Sequence, residues 1–347
     1  MPIRGSIANS LRSFGGDRVG RDIPEVKTGV IDYFIVAGGG AGGYNAGGGG
    51  GGGGVIVGSG YPVGPGITLN IGVGAGGGGG NAGNPSTISG PGTPTITAIG
   101  GGDGGDGNNP GETGPGARGG DGGSGGGGGR DQGGAYASTN PTSAGLGTPG
   151  QGNRGGYGGT PPNGAAGSGG GAGGNGQDGR GQNNYDRDDS RDGGNGRALG
   201  DFGWPGAAPW LNSFGINGGT PSGTWENFIV AAGGGNGIYR GSSDPSGNGG
   251  SARSWTGYPN TGGKGGAAPA SPVLAQSGAQ YTGSGGGGGA RNPGNGVGTN
   301  GASGSGGTIL IKYDTYFANA SSVSGALYIN ENGYRIFHWL GSGSITF

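Results

Sequence analysis

The chain has 347 residues, of which 111 are glycine, with a net charge of −1, one histidine and no cysteine. Leu, Ile, Val and Phe together supply only 14% of it, too little for side chains to fill a globular core along most of the length. That balance also excludes a disulfide framework, a thiolate metal site and any general electrostatic attraction to nucleic acid.

In chain order, residues 1–29 form a leader carrying Arg4, Arg12, Arg18 and Arg21 among small polar residues. It contains no apolar signal region, and no stretch of the chain approaches the 18 apolar residues of a membrane span. We read it as an attachment segment that docks on another protein, with no membrane insertion.

The next stretch, "DYFIVAGGGAGG" from Asp32 to Gly43, looks at first like a dinucleotide site, because Gly38, Gly40 and Gly43 fit G-x-G-x-x-G. A phosphate there needs a helix N-terminus immediately afterwards. Instead Gly47 to Gly54 follow, and eight glycines oppose a helix by roughly 8 kcal/mol. The acidic residue expected about 20 positions further on is also missing. A second copy of the pattern, "NFIVAAGGGNG" from Asn227 to Gly237, keeps the strand and the glycines but not the spacing. The shared feature is a strand feeding a glycine tract.

Further strands are predicted in "GVIVGSGYPVGPGITLNIGVGAG", as two short strands around a Pro-Gly connection, and in "TPTITAIGGG". From about Gly100 to Gly200 glycine tracts alternate with polar loops and almost nothing is apolar; Gly194 reads as a loop glycine. Strand Thr308 to Tyr313 closes the block, and residues 30–315 are taken as one glycine-rich domain. In residues 316–347, "ALYINENGYRIFHWL" sets Asn332-Gly333 between two apolar runs, the signal for a β-hairpin in which Ile329 opposes Ile336 and Tyr328 opposes Phe337. One face, with Tyr328, Phe337 and Trp339, then needs a partner, which points to a homotrimer.

What could order so much glycine? Collagen fails because the Gly-X-Y period holds only locally and prolines number 21. Calcium-binding nonapeptide repeats fail because "GGDGGDGNN" has no stack of copies. Polyglycine II helices remain: threefold helices with no Cβ, able to lie side by side and bond N–H to C=O between neighbours. The fold class expected is mostly irregular and β, with short β-strands combined with a packed lattice of polyglycine II helices and a C-terminal β-hairpin.

The segments "DYFIVAGGGAGG", "GITLNIGVGAGGGGG", "TITAIGGGDGG" and "GSGGTILIKY" resemble the glycine-rich domain of bacteriophage tail fibres and virion structural proteins, and "NGYRIFHWLGSGSITF" is similar to the strand pair that flanks it. More loosely, the chain resembles the polyglycine II adhesins at the tips of long tail fibres in T-even-like phages. The resemblance implies a non-enzymatic virion protein, most simply a tail fibre or tip adhesin subunit engaged in host attachment. It is assembled in the host cytoplasm, released by lysis and attached to other virion proteins through its N-terminal segment. The alternatives are a head-decorating fibre, or a secreted glycine-rich ice-binding or matrix protein.

Two RGG sequences, at Arg118 and Arg154, lack the interleaved aromatics of an RNA-binding arm, and lone His338 offers no catalytic cluster. No catalytic residue, metal or cofactor is expected. The candidate contacts to a bacterial surface glycan or outer-membrane protein are the aromatic and charged residues that interrupt the glycine: Tyr185, Arg187, Trp204, Trp210, Trp255 and Tyr258. The competing structural reading is that the aromatics plug the ends of the lattice.

Overall fold

The computed structural model describes residues 29–107, 118–130, 143–159, 165–179, 192–202, 229–238, 262–266, 274–291 and 296–347. Its regular elements are β-strands: β1 (Val30–Val36), β2 (Val55–Pro62), β3 (Thr68–Gly72), β4 (Ser86–Gly90), β5 (Thr93–Ala98), β6 (Arg197–Ala198), β7 (Ile229–Val230), β8 (Thr308–Asp314), β9 (Ser322–Glu331) and β10 (Tyr334–Thr346). A short 3-10 turn, Leu199–Phe202, follows β6.

Eight strands form one antiparallel sheet in the order β2-β1-β8-β10-β3-β4-β5, with β9 added on β10. Along Tyr334 to Trp339, β10 lies between β8 and β9; along Ser344 to Thr346 it lies between β3 and β9. The sheet curls until its ends approach, where the Tyr61 hydroxyl donates to the Pro94 carbonyl at 2.9 Å. It is nearly closed.

Strand alternation sends alternate side chains to the two faces. Ile31 and Ile35 of β1, with Ala37 just after it, join Ile309 and Ile311 of β8, Phe337, Trp339 and Ile345 of β10, and Leu69, Ile71 and Ile88 in one core inside the curl. Phe34 and Val36 turn the other way, with Leu310 and Ile336, and are covered by Leu199, Val230 and Ala231. Strand β8 is therefore buried on both faces, which explains why "TILIKY" reads as a continuous run.

The apolar face assigned from the sequence to other copies is covered within the chain. Trp339 is 0% exposed and its Nε1 donates to the Ser324 carbonyl at 2.8 Å, while Phe337 stacks on Tyr313 with centroids 5.8 Å apart. Tyr328 alone of the three stays largely open. Strands β9 and β10 pair with Ile336 opposite Ile329 and Phe337 opposite Tyr328, and Asn332 and Gly333 between them have φ of 52° and 81°. Strand β4 has no counterpart among the predicted elements, because "STISG" contributes a single apolar side chain, Ile88, to the core.

Glycine segments fill the remainder, and their hydrogen bonds follow a period of three. Gly47, Gly50 and Gly53 donate to the carbonyls of Gly289, Gly286 and Gly283; Gly48, Gly51 and Gly54 donate to Gly105, Gly102 and Ile99; Gly49 and Gly52 donate to Gly167 and Gly170. The same tract accepts from residues 37–43, from Ser124 and Gly127, and from Gly234 and Gly237. It is thus bonded on all sides to other backbone, at N···O distances of 2.7 to 3.1 Å for these eight donors. Residues 37–43 repeat the pattern: Ala37, Gly40 and Gly43 donate to Gly54, Gly51 and Gly48, Gly38 and Ala41 to Asn84 and Asn81, Gly39 and Gly42 to Ser305 and Ala302.

Such closeness leaves no room for a side chain. A Cβ on Gly50 would fall on the Gly40 carbonyl oxygen, and one on Gly51 on that of Ser124. Gly194, read from the sequence as a loop glycine, belongs to this packing as well: it is buried, donates to Gly169 at 2.8 Å and accepts from Gly233. The reason is that its neighbours come from residues about 25 and 40 positions away, which local sequence does not reveal.

Gly50→Ala is expected to destabilise by about 3 kcal/mol or more, because backbone cannot rotate out of the way of an added methyl as a side chain can. Gly64→Ala, where the nearest atom lies 3.8 Å from the new Cβ, is expected to be neutral or stabilising by up to ~1 kcal/mol. Urea melts of the two variants measure the contrast.

Candidate functional site

Tyr185, Arg187, Trp204, Trp210, Trp255 and Tyr258 all lie outside the described residues. The structure does place the points from which their segments depart. The bundle of glycine segments has a proximal end, at the strands, and a distal end, at the turn Tyr44–Ala46 between the first two tracts. Gly107 donates to the Tyr44 carbonyl, Arg130 to that of Ala46, and Gly237 to Gly47, so the residues at which these segments stop are distal. Gly266 and Arg291 join them through Ile238, whose amide donates to Gly266 and whose carbonyl accepts from Arg291.

The segment holding Trp255 and Tyr258 follows Ile238, at the distal end, and rejoins the bundle before Gly263, which donates to Gly285 and accepts from Gly235 part-way along it. The segment holding Tyr185 and Arg187 follows Gly179, whose amide donates to the carbonyl of Tyr157. The segment holding Trp204 and Trp210 follows Phe202 and returns at Ile229, where β6 and β7 pair beside the second core cluster. That is the proximal end. The six candidates therefore do not leave the scaffold from one place.

Two exposed tyrosines mark the distal end. Tyr44 is 40% exposed and leads the turn, its amide donating to Asp106 Oδ1 at 2.6 Å, while Asn45 and Ala46 take φ of 61° and 58°. Asn45 Oδ1 accepts from the Arg291 guanidinium at 3.2 Å across the buried side of the turn. Tyr157 is 38% exposed, with the Arg154 guanidinium 4.7 Å over its ring and bonded at 2.9 Å to Asp178. The bond to Asp178 raises the Arg154 pKa further above its ordinary value. Sequence reasoning passed over both tyrosines because each sits singly among glycines, with no local pattern to single it out.

The amides of the G-x-G-x-x-G stretch are all occupied: Gly38 donates to Asn84, Gly40 to Gly51 and Gly43 to Gly48. No amide there points outward to cradle a phosphate.

A cavity of about 370 Å³ opens between β2 and the glycine segments, within the range of small-molecule sites. Val55, Val57 and Ala172 give it an apolar wall, and Gln151, Asn153 and Arg197 give it polar ones, with Gly150 and Gly152 completing the lining. Each wall is pinned. Val55 donates to the Gln151 carbonyl at 3.0 Å, Gln151 Oε1 accepts from the Ile99 amide at 2.8 Å, and Asn153 Nδ2 donates to the Gly171 carbonyl at 2.7 Å. Ala172 is held by a 2.9 Å bond to Ala231, and Arg197 sits on β6 opposite Val230. Its residues are far apart in sequence and polar in a polar region, so no motif announces them.

The titratable groups in the sheet are structural. His338 is fully buried, and its Nε2 meets Thr308 Oγ1, which itself donates to the Trp339 carbonyl at 3.1 Å. With that hydroxyl proton committed, Nε2–H is the donor. Burial lowers the His338 pKa to about 3 and keeps the ring neutral. Burial likewise lowers the pKa of Lys312, against the opposing pull of Asp32 at 3.8 Å. Among the described residues no group of three His, Asp or Glu is placed to hold a metal ion, and no helix is long and apolar enough to cross a membrane.

No protein-family model, no curated protein and no solved structure matches the chain.

Unfolding exposes His338 to an ordinary pKa near 6.5, so below that pH the unfolded chain binds a proton that the folded chain refuses until about pH 3. Stability is therefore expected to fall as the pH drops through 6.5, by up to about 1.4 kcal/mol per pH unit. Thermal melts between pH 7 and 5 should show this slope, and His338→Gln should remove most of it.

Proposed function

We propose that this chain is a non-enzymatic structural protein of a bacteriophage virion, a tail-fibre or tip adhesin subunit that meets the host surface. Residues 1–29 dock it on other virion proteins. In this reading the glycine segments are polyglycine II helices, because donors step from one neighbouring segment to the next with the three-residue period of such a helix. Strands β9 and β10 are the C-terminal hairpin, with positive φ at both turn residues as a type I′ turn requires.

The observation that carries the proposal is the geometry of the bundle. Its interior is backbone hydrogen-bonded to backbone, which makes it rigid and chemically almost blank. Recognition then falls to whatever interrupts the glycine, and binding residues concentrate in loops held by a rigid scaffold. Most of the interrupting segments depart from the distal end, beside exposed Tyr44 and Tyr157, while the sheet occupies the other end. A polar arrangement of this kind suits a particle-bound end and a host-facing end.

The departure points divide the candidate residues. Trp255→Ala with Tyr258→Ala, in the segment that follows Ile238, is expected to lower adsorption to host bacteria at least tenfold without shifting the melting temperature. Trp204→Ala with Trp210→Ala, in the proximal segment, is expected to leave adsorption intact and lower the melting temperature. Adsorption assays and thermal melts on both pairs decide it; unchanged adsorption in the Trp255 and Tyr258 pair contradicts the adhesin reading. Thermal hysteresis in place of adsorption would mark an ice-binding protein instead.

A further inference from the structure

We propose that the outer edge of β9 is a pairing surface for a second copy of this chain, and that two β9 strands meet antiparallel about a twofold axis at Tyr328. The inference concerns the sheet alone and does not depend on the virion reading.

Strand β9 bonds to β10 on one side, and among the described residues no strand pairs with its other side. The far ends of the sheet, β2 and β5, approach each other instead. One long edge is left open. A row of unpaired N–H and C=O groups recruits another strand, so natural edges are blunted with lysine, proline or shortness. Strand β9 is ten residues long, has no proline or lysine, and carries its single charge, Glu331, at its last position. The connection from β8 does not lie along that edge. It crosses β10, where Arg335 donates to the carbonyls of Thr315 and Phe317 and Ala320 packs against the core inside the curl.

The hairpin decides which backbone groups face outward. Glu331 and Tyr334 flank a two-residue turn and exchange bonds, so Glu331, Ile329 and Leu327 spend their N–H and C=O groups on β10. Those of Ala326, Tyr328 and Asn330 point away from it. Gly325, with φ of 73°, and Asn332, with φ of 52°, bound this stretch at its two ends. Among antiparallel registers that set outward residues against outward residues, only the one centred on Tyr328 uses all three in each copy and crosses neither bound. Tyr328 then faces Tyr328 of the second copy, and Ala326 faces its Asn330. Between them Leu327 comes opposite Ile329 of the second copy, and both are partly buried apolar side chains on one face of the sheet. Glu331 falls opposite Gly325, so no like charges meet. At the axis the two Tyr328 rings, each 52% exposed and backed by its own Phe337 at 5.0 Å, would cover one another. Self-complementarity about a single residue is what a twofold interface between identical chains requires, and a foreign strand would have no need of it.

The test is sedimentation equilibrium of the full chain, with residue-resolved amide exchange to read the register. Monomer and dimer are expected, with a Kd of about 10–200 µM, as suits an interface one strand long. The amides of Ala326, Tyr328 and Asn330 should exchange at least tenfold more slowly in a concentrated sample than in a dilute one, while those of Leu327 and Ile329 stay slow in both. Tyr328→Lys sets two ammonium groups across the axis and should weaken the dimer at least tenfold, and Tyr328→Glu should do the same with two carboxylates. An equimolar mixture of these two variants should pair again. Asn330→Pro removes an outward N–H and no bond to β10, should weaken the dimer comparably, and keeps the test open if the Tyr328 variants do not fold. A chain that stays monomeric at ~500 µM, a trimer, a dimer indifferent to the folded variants, or folded Lys and Glu variants that do not pair in the mixture overturns the proposal. Outward amides that are slow at every concentration would mark an occupant from within the same chain, which also overturns the second copy.

Discussion

Everything in this protein depends on the satisfaction of backbone N–H and C=O groups by other backbone, in segments that have no side chains to bury. Ordering a residue costs about 1–2 kcal/mol of backbone entropy, and glycine sits at the costly end. One hydrogen bond returns a net ~0.5–1.5 kcal/mol, so an isolated tract cannot order itself. The bundle adds two things: close dispersion contact on every side of each segment, and simultaneous use of donor and acceptor on the same residue. Gly50, for example, donates to Gly286 while its carbonyl accepts from Gly234.

The conventional core supplies the rest. Tract 38–43 is the direct continuation of β1, tract 47–54 leads directly into β2, and β5, β7 and β8 each join a glycine segment end to end. The strands are registered by ordinary side-chain burial, with Phe34, Ile35, Leu310, Ile311 and Trp339 all fully covered. Their register fixes where each glycine segment starts and how high it stands against its neighbours. The pairing Val36–Val55 at the sheet thus becomes Ala37–Gly54, Gly40–Gly51 and Gly43–Gly48 along the bundle. A small side-chain core therefore sets the alignment of a much larger backbone one.

The strands were legible in the sequence where apolar runs are local: β1, β8 and the pair β9 and β10 stand out against glycine, and Asn332-Gly333 marks the turn between the last two. The sequence did not show that β10 would lie inside the main sheet, since its pairing with β8 and β3 joins residues that nothing local connects. Gly194 and Gly64 look alike as letters, yet one is enclosed and the other open, because enclosure is decided by segments distant in the chain. The same holds for the cavity: Gln151, Asn153 and Arg197 carry no signature individually, and only the fold brings them together. His338 read from the sequence as a surface or strand position; it lies in β10, between β8 and β9, and is fully buried.

The division between a blank, rigid interior and chemically varied interruptions has a functional consequence. In the proposed adhesin, host specificity would be carried by the interrupting segments, whereas almost any substitution within the bundle must disturb the scaffold. The claim beneath this is that the glycine segments are a true core, and residue-resolved amide hydrogen exchange tests it most directly. The account predicts that the amides of Gly48 to Gly53 exchange as slowly as those of Leu310 and Ile311 in β8. Rapid, loop-like exchange at those glycines alongside a protected sheet would contradict it.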